Sequence, residues 1–166
     1  MDFLSKIAKQ ANNTPEIHMN RSFGPREGEY SLICYTDSSA GAYGCVIYIK
    51  ELQLNTVSFV TAKNRILSAS MKRKTMPSLE LQGIEFGVEC MMDAYNSLTN
   101  DTVVLPINIV SLHVFSDSSA CLHWLESYSI RYEKMQKQSV FVINRLAKIE
   151  TLCNSKPVSS AMFQLK

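Results

Sequence analysis

Tyr30-Ser-Leu-Ile-Cys-Tyr-Thr-Asp37-Ser-Ser-Ala40 is an apolar run of strand length that closes on an aspartate. The same closing tetrapeptide returns as Asp117-Ser-Ser-Ala120, after a second apolar run, Ile107-Asn-Ile-Val-Ser-Leu-His-Val-Phe115. Runs rich in β-branched and aromatic residues and bounded by turn residues read as strands. Between them lies Pro77-Ser-Leu-Glu80-Leu, where a third carboxylate opens a helix. If the two strands are parallel neighbours, their ends form the crevice in which α/β sheets place ligands, and a helix crossing one face brings Glu80 to the same point.

Outward from Asp37, Gly41 and Gly44 turn the chain into a second strand, Tyr43 to Lys50, and a turn over Glu51 to Asn55 leads to a third, Thr56 to Ala62. Connections this short make an antiparallel meander. Lys63 to Met76 lacks a period and reads as a connection, ending with Thr75 as an N-cap and Pro77 in a first helical turn. From Ser78 to Ser97, Leu81, Ile84, Val88, Met91, Met92 and Tyr95 recur at helical spacing, with Glu80, Gly83, Gly87 and Cys90 on the adjacent stripe. A helical glycine costs about 1 kcal/mol relative to alanine, so two of them one turn apart predict a close approach to another element.

Beyond the second motif, Ser118 to Ser127 reads as a short helix with Leu122 and Leu125 inward and Trp124 over its end. The spacing of Val140, Ile143, Ala147 and Ile149 predicts a further helix from Glu133 to Leu152, and Val158 to Leu165 begins a last strand. The expected architecture is α/β: a mixed five-stranded sheet, three strands antiparallel and two parallel, with flanking helices. Residues 1–29, with the stripe Leu4, Ile7, Ala8, Ala11 and turn residues from Asn12 to Gly28, read as a lead-in or linker. Residues 30–166 read as the domain.

With 166 residues the chain suits one domain, and 46% hydrophobic with 19% charged residues is ordinary globular composition, which sets aside disorder and a disulfide scaffold. No apolar run approaches the roughly 20 residues a membrane span needs, and the N-terminus lacks a secretory pattern, so no membrane partner and an intracellular, cytoplasmic location are the default expectations. Five cysteines without CxxC spacing read as reduced core residues, and a zinc site from His113, Cys121 and His123 is a weak alternative to plain packing. Net charge is only +2. Basic residues cluster locally, at Lys63, Arg65, Lys72, Arg73 and Lys74 and again at Arg131, Lys134, Lys137, Arg145 and Lys148, where they could meet a polyanion.

Taken singly, Asp37 and Asp117 are turn or cap residues and Glu80 a solvated acid. Taken together they point to a metal site. Carboxylate oxygens are hard ligands for magnesium or manganese, and two ions can clamp the attacking and leaving oxygens of a phosphodiester. Two unpaired carboxylates about 4 Å apart would repel by roughly 4 kcal/mol at an effective dielectric near 20, a cost that a cation removes. Lys63, Arg65, Lys72, Arg73 and Lys74 would track phosphates, with an ordinary solvated loop as the alternative. Ser38 and Ser118 would touch a phosphate or 2′-hydroxyl, or serve as local caps.

The segments Tyr35-Thr-Asp-Ser-Ser-Ala-Gly-Ala-Tyr-Gly-Cys-Val-Ile-Tyr48, Lys63-Asn-Arg-Ile66, Thr75-Met-Pro-Ser-Leu-Glu-Leu81, Phe115-Ser-Asp-Ser-Ser119 and Phe141-Val-Ile-Asn-Arg-Leu146 occur in the order of the ribonuclease H domain of BEL/Pao-type LTR retrotransposon polyproteins, which the chain resembles from Tyr30 to Leu152. The resemblance implies a ribonuclease H-like fold and cleavage of the RNA strand of RNA–DNA hybrids. It implies two magnesium or manganese ions, with Asp37 bridging both, Glu80 holding one and orienting the water, and Asp117 completing the other side. The implied partners are the hybrid, the reverse transcriptase polymerase domain and other polyprotein domains. The family pattern also carries a fourth carboxylate opening a final helix, for which Glu126, Glu133 and Glu150 lie too early; on that pattern the domain lacks its final helix. A catalytically incomplete nucleic-acid-binding or scaffolding module is the alternative. An integrase or transposase is disfavoured, because those place the third acid after the fifth strand.

Overall fold

The computed structural model describes residues 22–25, 27–68, 74–100, 106–130, 138–155 and 161–165. The stripe Leu4 to Ala11, Lys72, Arg73, Arg131, Lys134 and Lys137 lie outside them. Elements follow in the order β1 (Glu29–Ser38), β2 (Ala42–Glu51), β3 (Val57–Ile66), α1 (Met76–Thr99), β4 (Asn108–Ser116), α2 (Ser119–Ile130), α3 (Val140–Asn154) and β5 (Ala161–Leu165). They build an α/β fold on one mixed sheet of order β3-β2-β1-β4-β5. β1 pairs antiparallel with β2 and parallel with β4; β2 and β3 are antiparallel and β4 and β5 parallel.

Alternation along β1 decides which face is packed. Leu32, Cys34 and Thr36 are buried, as are Cys45, Ile47 and Ile49 on β2 and Leu112 and Val114 on β4. α1 covers this surface with Leu81, Ile84, Val88 and Met91, each fully buried, so its helical stripe is the one the spacing predicts. The close approach foreseen from the paired glycines is present: a Cβ on Gly87 would lie 2.3 Å from Thr36 Cγ2, and one on Gly83 would lie 2.2 Å from Ser38 Oγ. Pro77 sits in the first turn, while the Thr75 hydroxyl meets Ser78 Oγ at 2.9 Å instead of capping a backbone N–H.

Two expectations need correction. β3 runs on to Ile66, so Lys63 and Arg65 belong to a strand and not to the connection after Ala62; Cys45 pairs with Lys63, Tyr43 with Arg65 and Ala42 with Ile66. β3 is the sheet edge, and Ala62 to Ile66 are all exposed, so backbone pairing extends the strand without any apolar alternation to announce it. In α3 the buried residues are Val142, Leu146 and Ile149, whereas Val140 is 72% exposed, so the expected stripe shares only Ile149. The helix starts behind Ser139, whose side chain accepts the Val142 N–H, and turns Arg145 and Lys148 toward α1. Trp124 packs half-buried against the core.

Candidate functional site

β1 and β4 carry both aspartates to one end of the sheet. Their parallel register runs from Ser31 opposite Ser111 to Tyr35 opposite Phe115, and the Thr36 hydroxyl donates to the Phe115 carbonyl at 3.3 Å. Asp37 and Asp117 lie two residues further along each chain, so they are level. Tyr35 and Phe115 stack beneath them with ring centroids 5.1 Å apart. Asp37 is exposed and stands opposite Gly44 in the β1–β2 ladder; its Oδ1 accepts the Ser38 N–H at 2.8 Å. Asp117, also exposed, follows the last residue of β4.

The serine after each aspartate turns the other way, onto α1. Ser118 is 5% exposed; its hydroxyl donates to Glu80 Oε2 at 2.6 Å and accepts the Cys121 N–H at 3.3 Å, capping α2. Cys121 adds a contact to the start of α1, its thiol donating to the Pro77 carbonyl at 3.2 Å. Ser38 Oγ is buried against Gly83, one turn beyond Glu80, and has no hydrogen-bond partner among the described residues. The first turns of α1 therefore touch both strand ends, and Glu80 is brought to the side of Asp117. Sequence reasoning offered Ser38 and Ser118 as contacts to nucleic acid or as caps. It did not identify the tether from Ser118 to Glu80, whose only signal was the repetition of serine after aspartate at both strand ends.

Among the described residues no lysine or arginine forms a salt bridge with Asp37, Glu80 or Asp117. The charges of Glu80 and Asp117 are felt nearby: burial pushes the Cys121 thiol up to about 11, against the Ser118 hydrogen bond and with help from these two acids. An all-carboxylate donor set suits a hard divalent ion. The three acids nonetheless do not close into a ligand set, since no group of three or more His, Cys, Asp or Glu side chains among the described residues is placed to hold an ion. That finding covers His113, Cys121 and His123 as well; His113 instead bonds Ser111 Oγ at 3.2 Å.

A cleft of 620 Å³ opens beside Asp37, walled by Ser39, Tyr43, Gly44, Lys63 and Asn64. Lys63 is half-exposed and reaches Asp93 of α1 at 3.5 Å, and the Arg65 guanidinium lies 4.8 Å from the Phe86 ring centroid. Lys74 lies over Phe141 at 4.6 Å, on the α3 side of the fold. Arg145 and Lys148 are committed to Glu85 and Glu89 of α1. Of the basic residues that the sequence grouped, Lys63 lines the cleft beside Asp37, and Arg65 is its neighbour on β3.

Among the described residues, no helix is long and apolar enough to cross a membrane. No protein of curated function matches the chain. Solved structures share its fold. The ribonuclease H1 called LC11, isolated from compost by a metagenomic approach, is similar at 13% identity and a TM-score of 0.51, covering 82% of this chain and 84% of its own. The N-terminal ribonuclease H domain of rv2228c from Mycobacterium tuberculosis, a fusion with maltose-binding protein, is similar at 10% identity and a TM-score of 0.51, over 84% of this chain and 83% of that one. The foamy viral protease-reverse transcriptase, in a complex with double-stranded DNA, is similar at 13% identity and a TM-score of 0.50; 98% of this chain matches 28% of that longer one. At these identities the likeness concerns the fold. The family relationship comes from the sequence itself: residues 2–118 match the Pao retrotransposon-like RNaseH-like domain, and the chain belongs to that family.

Proposed function

We propose that this domain hydrolyses the RNA strand of RNA–DNA hybrids within a BEL/Pao-type retrotransposon polyprotein, beside a reverse transcriptase domain. The observation that carries the reading is the level placement of Asp37 and Asp117 on adjacent parallel strands, with Glu80 tethered next to Asp117 and no basic side chain neutralising any of the three among the described residues. Asp37, Glu80 and Asp117 would hold two magnesium or manganese ions. Such ions, when bound, supply an activated water and neutralise the charge that develops on the phosphate. The protein's part is to bring the three acids to one end of the sheet. Ser118 holds Glu80 in place, and the stacked Tyr35–Phe115 pair supports both strand ends. Lys63 and Arg65, with Lys72, Arg73 and Lys74, would meet the hybrid's phosphates, and Ser38 and Ser118 would act on the nucleic acid through the acids they adjoin.

The absence of a closed ligand set among the described residues favours a second reading, a catalytically incomplete domain that binds nucleic acid or scaffolds its neighbours. Cleavage of a labelled RNA–DNA hybrid in magnesium or manganese separates the two. The nuclease reading expects cleavage that falls at least about a hundredfold in Asp37→Asn, as loss of an electrostatic catalytic group does. A folded chain that binds the hybrid without cutting it supports the second reading and overturns the first.

A further inference from the structure

Three of the five cysteines meet on the packed face of the sheet. Cys34 on β1, Cys45 on β2 and Cys90 on α1 are all buried. They gather around Gly87, where a Cβ would lie 3.1 Å from Cys34 Sγ and 3.6 Å from Cys45 Cβ; Cys90 follows on the same helical stripe. Cys45 stands close enough to both Cys34 and Cys90 for each to bear on its titration. Its two neighbours differ in access. Cys34 has no exposed surface, and its thiol donates to the Gly87 carbonyl at 3.6 Å. Cys90 lines a surface cleft of 280 Å³ with Lys63, Asn64 and Asp93, and Cys45 lines the 620 Å³ cleft, whose lining also includes Lys63 and Asn64.

We propose that Cys45 and Cys90 are a redox pair, which a small peroxide converts to a disulfide joining β2 to α1. The Cys45 thiolate attacks one peroxide oxygen, the O–O bond breaks, and hydroxide leaves, to be neutralised by the proton that Cys45 gave up. Cys45 is then a sulfenic acid. The Cys90 sulfur attacks the Cys45 sulfur, the S–S bond forms as the S–O bond breaks, and the oxygen departs as water with the Cys90 proton. Two thiols and one peroxide thus give one disulfide and two waters, the sulfurs supplying both electrons. The division of roles follows from the surroundings. The neighbouring Cys34 outweighs burial and, with Cys90 and Lys63, lowers the Cys45 thiol to about 7, while burial raises that of Cys90. The more acidic thiol is the attacking one.

The test is to treat the folded chain with hydrogen peroxide, block remaining thiols with N-ethylmaleimide, digest without reductant and identify linked peptides by mass spectrometry. The expected product joins Cys45 to Cys90, disappears on addition of dithiothreitol, survives in Cys34→Ser and is absent from Cys90→Ser. Its formation staples the helix that carries Glu80 to the sheet, so the oxidised chain melts at a higher temperature than the reduced one. A peptide joining Cys34 to Cys45 overturns the assignment. So does recovery of Cys45 and Cys90 without a mutual link, whether as blocked thiols or as sulfonic acids, from a chain whose circular dichroism stays native. The wild-type digest alone decides between these outcomes, so the test holds even if a variant fails to fold.

Discussion

A Cβ on Gly83 would lie 2.2 Å from Ser38 Oγ but 3.6 Å from Ser38 Cβ, so one hydroxyl decides whether alanine fits. Gly83→Ala gains about 1 kcal/mol of helix preference and meets an overpacking cost of roughly 1–3 kcal/mol. Ser38→Ala removes the obstructing oxygen, a buried atom that makes no hydrogen bond among the described residues. The double variant should therefore show a higher urea midpoint than Gly83→Ala alone; equal midpoints would mean that the contact is not what requires glycine. The spacing of Gly83 and Gly87 already announced a close neighbour, but nothing in sequence names the atom a glycine makes room for. His113 offers a second test. Burial first, and the Lys50 charge after it, hold its imidazole below the ordinary value of 6.5. The unfolded chain then binds more protons there, so this contribution to stability is complete above about 6.5 and is lost as pH falls through the folded value. Replacing His113 by Gln should flatten the acid-side slope of urea stability between pH 7 and pH 5.

α1 and α3 are joined by a charge cluster that periodicity could not resolve. Glu85 is buried, with Arg145 Nε at 3.2 Å and Lys148 Nζ at 3.0 Å; Arg145 Nε also donates to Gln82 Oε1 at 2.7 Å, and its guanidinium lies 3.6 Å from the Phe141 ring centroid. Arg145 and Lys148 read from sequence as part of a basic patch, because their partners sit some sixty residues earlier on another helix. The last four residues of β3 escaped for a related reason: the pairing of Lys63 to Ile66 is set by β2, and the exposed residues carry no alternation of their own. The parallel β1–β4 pair was legible, since both apolar runs and both aspartates repeat. The two cations should not be equivalent. Arg145 is one-fifth exposed and its loss leaves a buried carboxylate short of its inner partner, so Arg145→Met should cost about 3–5 kcal/mol. Lys148 is half-exposed, and Lys148→Met should cost no more than about 1 kcal/mol. Chemical denaturation of the two variants checks the order, and equal losses would show that α3 is held by its apolar face instead.

At the scale of the whole molecule, Asp37 and Asp117 stand level on one sheet and Glu80 beside them on the helix across it. The types and order of the three acids were visible in sequence. Their mutual geometry was not, because it depends on the parallel register and on the Ser118 tether, both formed between segments distant in the chain. Three acids at one end of the sheet without a basic partner among the described residues leave that end negatively charged. Removing one charge should lower the repulsion there. In a metal-free buffer of low ionic strength, Asp37→Asn should melt at or above the wild-type temperature. A ligand that binds only the folded state stabilises it in proportion to its occupancy, so magnesium should raise the wild-type melting temperature progressively and leave Asp37→Asn nearly unmoved. Added sodium chloride at matched ionic strength separates site binding from general screening, because screening would shift both proteins by similar amounts. A wild-type chain that magnesium stabilises no more than sodium would remove the metal site from the proposed nuclease. An Asp37→Asn chain less stable than wild type without metal would show that the carboxylate supports the fold through its bond to the Ser38 N–H, and that the three acids are not in conflict.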